Sequence, residues 1–362
     1  MLPVTAITPE ALVQAAPIVR LDEARKLVAM AHRDEPLQGT SAIRRVAADA
    51  ARAVTMVPAL QMIERHASAV DPFVKYLFET NDAYRVETVR IPLERTGRFS
   101  VCVSSQVGCA MACSFCATGR LGLARNLAAW EIVEQVRTVR RELTSETLGR
   151  VHGVVFQGMG EPMANLDAVL DAIAVFSEPS ALGIDSRNIT VCTSGLPNGI
   201  RRLAQQAPKV RLGWSVGSGR SDVRRSIMPV ANAHSDDDVF DAMVEHARTT
   251  GLSPMWAVTL LAGINDFDDD AAALAQKVAA FTAATNIVPR LSIIPYNSIG
   301  DNDPYRRTDA TREAGFRAVL STHNLASHKR YSGGGDVAAA CGQLVAGQAS
   351  ETRLVPLRSK RA

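Results

Sequence analysis

Three cysteines, Cys109, Cys113 and Cys116, fall within eight residues of the stretch from Val107 to Gly119. A loop that short points all three thiols at one centre. Thiolates are soft ligands that select zinc or iron–sulfur clusters. A structural zinc site takes four ligands, usually as two separated pairs, and this set stands alone with no His nearby. Three ligands on a four-iron cluster leave one iron open for a substrate or cofactor. A zinc loop, or three merely buried cysteines, is the competing explanation.

The Cys-x3-Cys-x2-Cys spacing resembles that of radical S-adenosylmethionine (SAM) enzymes, in which the open iron chelates the amino and carboxylate groups of SAM. Other residues join this loop. In Gly158-Met159-Gly160-Glu161-Pro162 the glycines permit close backbone approach to a ligand, and Glu161 can accept from its ammonium. Asn297, at a strand end, can bond ribose or amino-acid groups, or simply stabilise a turn. Cys341 sits among small residues and glycines, and Cys102 lies seven residues before the cluster motif. A lone Cys is usually a small core residue. Two extra thiols aimed at a radical site instead suit covalent catalysis followed by disulfide resolution.

Positioning these groups calls for an α/β frame. From Arg98 onward strands and helices alternate. Strands are expected at 99–103, 153–157, 188–193, 210–216, 254–261 and 287–297, with Gly or polar residues at their C-terminal ends. Helices are expected at 128–143, from Leu166, and at 268–282 and 308–320. The rhythm implies a parallel sheet with right-handed crossovers, an open six-stranded partial (β/α)6 barrel with its chemistry at the strands' C-terminal ends. Before it, spacing of three and four predicts helices at 21–32, 41–54 and 59–68, and alternation predicts strands at 74–78 and 83–92. The chain is thus divided into an N-terminal helical module with a small β extension (1–97), a core (98–325), and a C-terminal segment carrying Cys341 and a basic tail (326–362).

The 362 residues are 47% hydrophobic and 21% charged with net charge +3, a globular composition that permits but does not demand an anionic partner. Six cysteines, three of them clustered, do not make a disulfide framework and suit a reducing compartment. No signal peptide and no membrane-length apolar run is seen, so a cytoplasmic protein without membrane contact is expected. The tail from Thr352 to Ala362 carries four basic residues and no acid, and is expected to stay solvated or to meet RNA.

Cys102 to Cys109, the cysteine motif, Gly158 to Pro162 and Ala339 to Leu344 together resemble the RlmN/Cfr family of radical-SAM RNA adenine methyltransferases, as does Arg85 to Val89 ahead of Ile91-Pro92. The resemblance covers residues 85 to 345. It implies a 4Fe–4S cluster on Cys109, Cys113 and Cys116, and SAM contacts at Gly160, Glu161, Cys192, Ser215, Val216, Gly217 and Asn297. It further implies that Cys341 is methylated by one SAM and that a radical from a second SAM activates that methyl group. Glu87 matches the residue taken as proton acceptor, and Cys102 would resolve the adduct through a transient disulfide with Cys341. Expected partners are RNA (23S rRNA and/or tRNA) and an electron donor such as flavodoxin or ferredoxin, with the enzyme monomeric and carbon 2 of adenine favoured over carbon 8. The chain departs from the family pattern at Cys192, at Val216-Gly217, and at Gly333, where an Arg is expected. These departures leave a divergent paralogue with another substrate as the alternative. An enzyme acting on a peptide or small molecule would not need Cys341, and a zinc-stabilised RNA-binding module would hold no iron.

Overall fold

The structure, a computed structural model, describes residues 1–300 and 303–344; the basic tail lies outside the described residues. The chain opens with β1 (Leu2–Pro3), α1 (Pro9–Ala15), α2 (Leu21–His32), α3 (Arg45–Val54) and β2 (Thr55–Met56), which pairs in parallel with β1. On α2 the buried positions Ala24, Leu27, Val28 and Ala31 recur at three and four residues and form the inward stripe. Next come β3 (Gln61–Ala67), β4 (Val74–Glu79) and β5 (Arg85–Pro92), each antiparallel to its neighbour. The helix expected at 59–68 is therefore a strand. Its ladder with β4 runs from Gln61↔Glu79 to Ala67↔Val74, and satisfying those backbone groups outweighs a weak helical pattern.

From β6 (Arg98–Val103) the alternation takes over. A hairpin of β7 (Gln106–Cys109) and β8 (Gly122–Asn126) encloses the cysteine loop and the short α4 (Ala117–Leu121). There follow α5 (Ala129–Ser145), β9 (Arg150–Phe156), α6 (Leu166–Ser177), β10 (Ile189–Thr193), α7 (Pro197–Gln206) and β11 (Arg211–Ser215). The chain continues through α8 (Ser221–Ile227), α9 (Asp236–Thr250), β12 (Met255–Leu260), α10 (Asp268–Thr285), β13 (Arg290–Pro295), α11 (Ala310–Thr322) and β14 (Ser327–Lys329). All six expected strands pair in parallel, in the order β6-β9-β10-β11-β12-β13. The short β14 extends them by one, and β5, β4 and β3 continue the same sheet from β6, giving ten strands in all.

Side chains alternate across this sheet. Trp214 of β11 and Trp256 of β12, a registered pair with no exposed surface, meet edge to face at 5.0 Å on one side, and Phe281 of α10 completes the cluster. Helix α9 sits behind the sheet, capped by the Ser235 hydroxyl, which accepts from Asp238 N, and ended by Gly251 in the left-handed region. Among the described residues no helix is long and apolar enough to cross a membrane.

His246 of α9 has no exposed surface and no hydrogen-bond partner for its ring among the described residues, and burial pushes its pKa down to about 4. The unfolded chain titrates near 6.5 and so holds more protons between that value and 4. Stability contributed by the neutral ring is therefore present above the unfolded pKa and is lost as pH falls through this window. Between pH 7 and pH 5 the loss should be about 2 kcal/mol. Urea unfolding of the wild type and of His246→Leu at both pH values checks this, and the variant should lack that part of the pH dependence.

Candidate active site

The cysteine loop leaves β7 and is pinned from three sides. Ser114 donates from its N and Oγ to the carbonyl of Ile227 (both 3.1 Å), its Oγ accepts from Tyr305 Oη at 2.6 Å, and its carbonyl accepts from Arg120 Nε at 2.9 Å. Met111, Cys113 and Phe115 pack on a small apolar cluster that includes Ile227, Met228 and Tyr296. Burial pushes the Cys109 thiol up to about 12, Cys113 well above its ordinary value, and Cys116 upward too. The thiols also raise one another: Cys113 feels both neighbours. All six cysteines are free thiols.

Three desolvated thiols on one loop are poor thiolates until a cation arrives, and a bound metal deprotonates its thiol ligands outright. Among the described residues no three His, Cys, Asp or Glu side chains are grouped to hold a single metal ion. A four-iron cube, held by cysteine thiolates at its corners, spreads its ligands more widely than one zinc ion with bonds of about 2.3 Å. The soft donor set on one short loop and its apolar backing fit such a cluster.

Beside the loop lies Glu161, 3% exposed. Its Oε2 accepts from Ser194 N and Oγ (both 2.8 Å) and its Oε1 from Met163 N (3.1 Å), yet burial still raises its pKa. No cation pairs with it among the described residues, and its charge is felt by Cys109 and Cys113. A buried carboxylate lacking a counter-charge next to a three-thiol loop fits the ammonium of a bound amino acid. At Gly160, φ +101°, a Cβ would lie 2.6 Å from Gln106 Cβ, so the glycine also permits close packing between chain segments.

Strand register assembles the other face. Val89 of β5 pairs with Cys102 of β6, and Cys102 with Val155 of β9. Paired residues share a side and the period is two, so Glu87, Val89, Cys102, Val155 and Gln157 face the same way. Cys192 joins them, since Thr190 pairs with Val155. Thr88, by contrast, points to α5, where its Oγ1 donates to Gln135 Oε1 at 2.7 Å. Glu87 is buried and ion-paired with Lys75 Nζ at 3.1 Å. Cys102 and Cys192 are each pushed up to about 12 by burial and by the charge of Cys341.

Cys341 reaches this face from the C-terminal segment. Gln157 Nε2 lies 3.6 Å from its Sγ, and Gln157 Oε1 accepts from Arg330 at 2.7 Å. Ala117 N donates to the Gly342 carbonyl at 2.8 Å, tying this segment to the cysteine loop, and the Cys116 charge is felt at Cys341. Asn297 faces the same segment: its Nδ2 donates to Ser332 Oγ (2.8 Å) and to the Cys341 carbonyl (3.3 Å). Gln157, Arg330 and Lys75 were not singled out as site residues from sequence, although Gln157 follows Val155 by the strand period and so was open to that inference.

The residues that end β11 are arranged differently. Ser215 is half-buried, whereas Val216 has no exposed surface, its N donating to the Ala257 carbonyl and its carbonyl accepting from buried Arg224. Val216 is thus a packing residue, and only its backbone is polar. Gly217, at φ +75°, has no room for a side chain, since a Cβ would fall 2.5 Å from Met228 Sδ. Met228 occupies the space.

The Radical SAM superfamily profile matches residues 103–278. A crystal structure of a radical SAM methyltransferase from Sphaerobacter thermophilus superposes with a TM-score of 0.84 at 30% identity, covering 96% of this chain and all of that one. An open α/β barrel with a three-thiol loop beside the strand ends therefore marks a radical SAM protein. A probable RNA methyltransferase of Sorangium cellulosum is 56% identical over 95% of this chain and 92% of its own length. The probable dual-specificity RNA methyltransferase RlmN of a Picosynechococcus strain is 42% identical over 78% of this chain and 77% of its own. The chain belongs to the RlmN/Cfr-like family of radical-SAM RNA methyltransferases.

Two outcomes follow from this geometry. Replacing any one of Cys109, Cys113 or Cys116 by Ala should reduce bound iron to background after anaerobic reconstitution, read by iron analysis and visible absorbance. Gly217→His should destabilise the fold by about 2 kcal/mol or more, through strain at positive φ and collision with Met228; urea unfolding measures it, and Gly217→His with Met228→Ala should recover part of the loss.

Proposed function

We propose that this protein methylates a ring carbon of adenine, carbon 2, in 23S rRNA and/or tRNA, with Cys341 as methyl carrier. The observation that carries the reading is the convergence of Cys341 on both the cysteine loop, through Gly342 and Ala117, and the Cys102 face, through Gln157. A carrier thiol has to serve both places. Carbon 2 of adenine is not nucleophilic, so direct transfer from a sulfonium fails and a radical route is needed. When bound, a 4Fe–4S cluster and SAM supply the electron, the methyl group and the hydrogen-abstracting 5′-deoxyadenosyl radical.

This chain's residues then have separable tasks. Cys109, Cys113 and Cys116 hold the cluster, and Glu161 holds the ammonium of SAM, with Gly160 and Ser215 lining the same end of the barrel. Cys192 sits on the Cys102 face and Asn297 steadies the Cys341 segment. Cys341 accepts a methyl group and joins it, through that carbon, to the base. Glu87 takes the proton that leaves the ring carbon, and a one-electron acceptor of the iron–sulfur class would take the electron that the adduct radical sheds as the ring regains its aromaticity. The thiolate of Cys102 attacks the Cys341 sulfur, the bond from that sulfur to the new carbon breaks with its electrons left on the base, and that carbon gains a proton to become methyl. A Cys102–Cys341 disulfide remains for reduction before the next turnover. A reducing cytoplasm and an electron donor such as flavodoxin or ferredoxin suit this cycle, and a monomer suffices for it. The adenine has to leave its stack, which favours loop or single-stranded sites.

Cys341→Ala should abolish methyl loading and turnover, whereas Cys102→Ala should trap protein covalently joined to RNA. Denaturing gels and nucleoside mass spectrometry of 23S rRNA and tRNA, each incubated with reconstituted enzyme, give the answer. SAM cleavage with no 2-methyladenosine in either RNA would reject the substrate assignment, and normal turnover by Cys102→Ala would reject the disulfide step.

A further inference from the structure

The segment that carries Cys341 is gripped from outside the barrel. Asp336 Oδ1 accepts from Ser68 Oγ at 2.7 Å and its Oδ2 from Ala69 N at 2.8 Å. In the reverse direction Asp71 Oδ2 accepts from Gly334 N at 2.9 Å and from Tyr331 Oη at 3.0 Å. Phe73 and Tyr331 lie with ring centroids 6.0 Å apart. The Ser68–Phe73 turn between β3 and β4 is itself well braced: Ser68 N donates to the Phe73 carbonyl at 3.0 Å and Phe73 N to Asp71 Oδ1 at 3.1 Å.

This turn also explains Gly333. A Cβ at that position would lie 2.4 Å from the Phe73 ring and 2.6 Å from Asp71 Oδ2, and the backbone there is not in the left-handed region. Phe73 and Asp71, not backbone conformation, exclude a side chain. Two residues past Phe73 stands Lys75, the ion-pair partner of Glu87. One short turn therefore reaches both the Cys341 segment and the strand beside Glu87.

We propose that the Ser68–Phe73 turn is a clamp that sets the position of Cys341, with Asp71, Phe73 and Asp336 as positioning residues and Gly333 as the gap that receives the Phe73 ring. The proposal rests on the methyl-carrier role given to Cys341 above. Asn297 supports the segment from the barrel side and the clamp from the opposite side, so that the carried carbon meets radical and base in one geometry. Loosening the clamp should leave the cluster loop intact, because among the described residues no hydrogen bond or ion pair joins Asp71, Phe73, Gly333 or Asp336 to that loop. What is lost is coupling between SAM cleavage and RNA methylation.

The test uses reconstituted full-length enzyme as wild type, as Asp71→Ala with Asp336→Ala, as Gly333→Ala, and as Gly333→Ala with Phe73→Leu. Four quantities are read: iron per chain, Cys341 methylation by peptide mass spectrometry, 5′-deoxyadenosine released per methylated adenine, and hydrogen exchange across 331–344. The double Asp variant and Gly333→Ala should keep wild-type iron, exchange faster across 331–344, and release about tenfold more 5′-deoxyadenosine per methylated base. Phe73→Leu should restore only part of the coupling to Gly333→Ala, because Asp71 Oδ2 still meets the added Cβ. Faster exchange with unchanged coupling would overturn the clamp and leave the turn a plain structural contact. A wild type that never methylates Cys341 would overturn the carrier reading itself, and the clamp with it.

Discussion

Burying a negative charge without a counter-charge is the condition on which this architecture depends. Glu161 is held by Ser194 and Met163 in a setting where desolvation disfavours its ionised form. The three thiols of the cysteine loop, two of which feel the Glu161 charge, are desolvated in the same manner. Such a group of acids is unfavourable in an empty site and is relieved by cations. The surrounding elements keep it in that state. The cluster of Ile227, Met228 and Tyr296 backs the loop with apolar surface, and Arg224 holds the ends of β10 and β11 through the carbonyls of Ser194 and Val216. Arg224 spends its own charge on Asp236, away from Glu161.

Much of this was legible in the sequence because it is local. Three thiols in eight residues need no tertiary information, and the βα alternation announces itself through period and turn residues. The six parallel strands lie where alternation and Gly-rich ends put them. Three things needed the fold. The 59–68 segment pairs with β4, and a pairing partner cannot be seen in a single strand's pattern. The shared face of Glu87, Cys102 and Cys192 depends on register between strands far apart in sequence. That Asn297 bonds Ser332 and the Cys341 carbonyl could not be read from its place at a strand end.

The departures from the family pattern share a physical logic. At Gly217 and at Gly333 the missing side chain is matched by a neighbour that fills its volume, Met228 in one case and Phe73 in the other. Close packing makes such exchanges paired, since a void loses dispersion contacts and an overfilled site is strained. Cys192 lies beside Cys102 on the shared face of the sheet. These positions are therefore repacked around a retained thiol arrangement.

The two outer strands of the ten-stranded sheet carry a further consequence. Among the described residues β3 and β14 each have only one ladder partner, which leaves a row of amide and carbonyl groups on the other side. Such rows invite a foreign strand, and long apolar ones nucleate aggregates. Here β14 is three residues long and ends in Lys329, while β3 carries Glu64, Arg65 and His66 in succession. A second copy that added itself to either border would have to bury charge or settle for a very short ladder. The sheet can thus keep both borders unpaired without becoming adhesive toward its own kind.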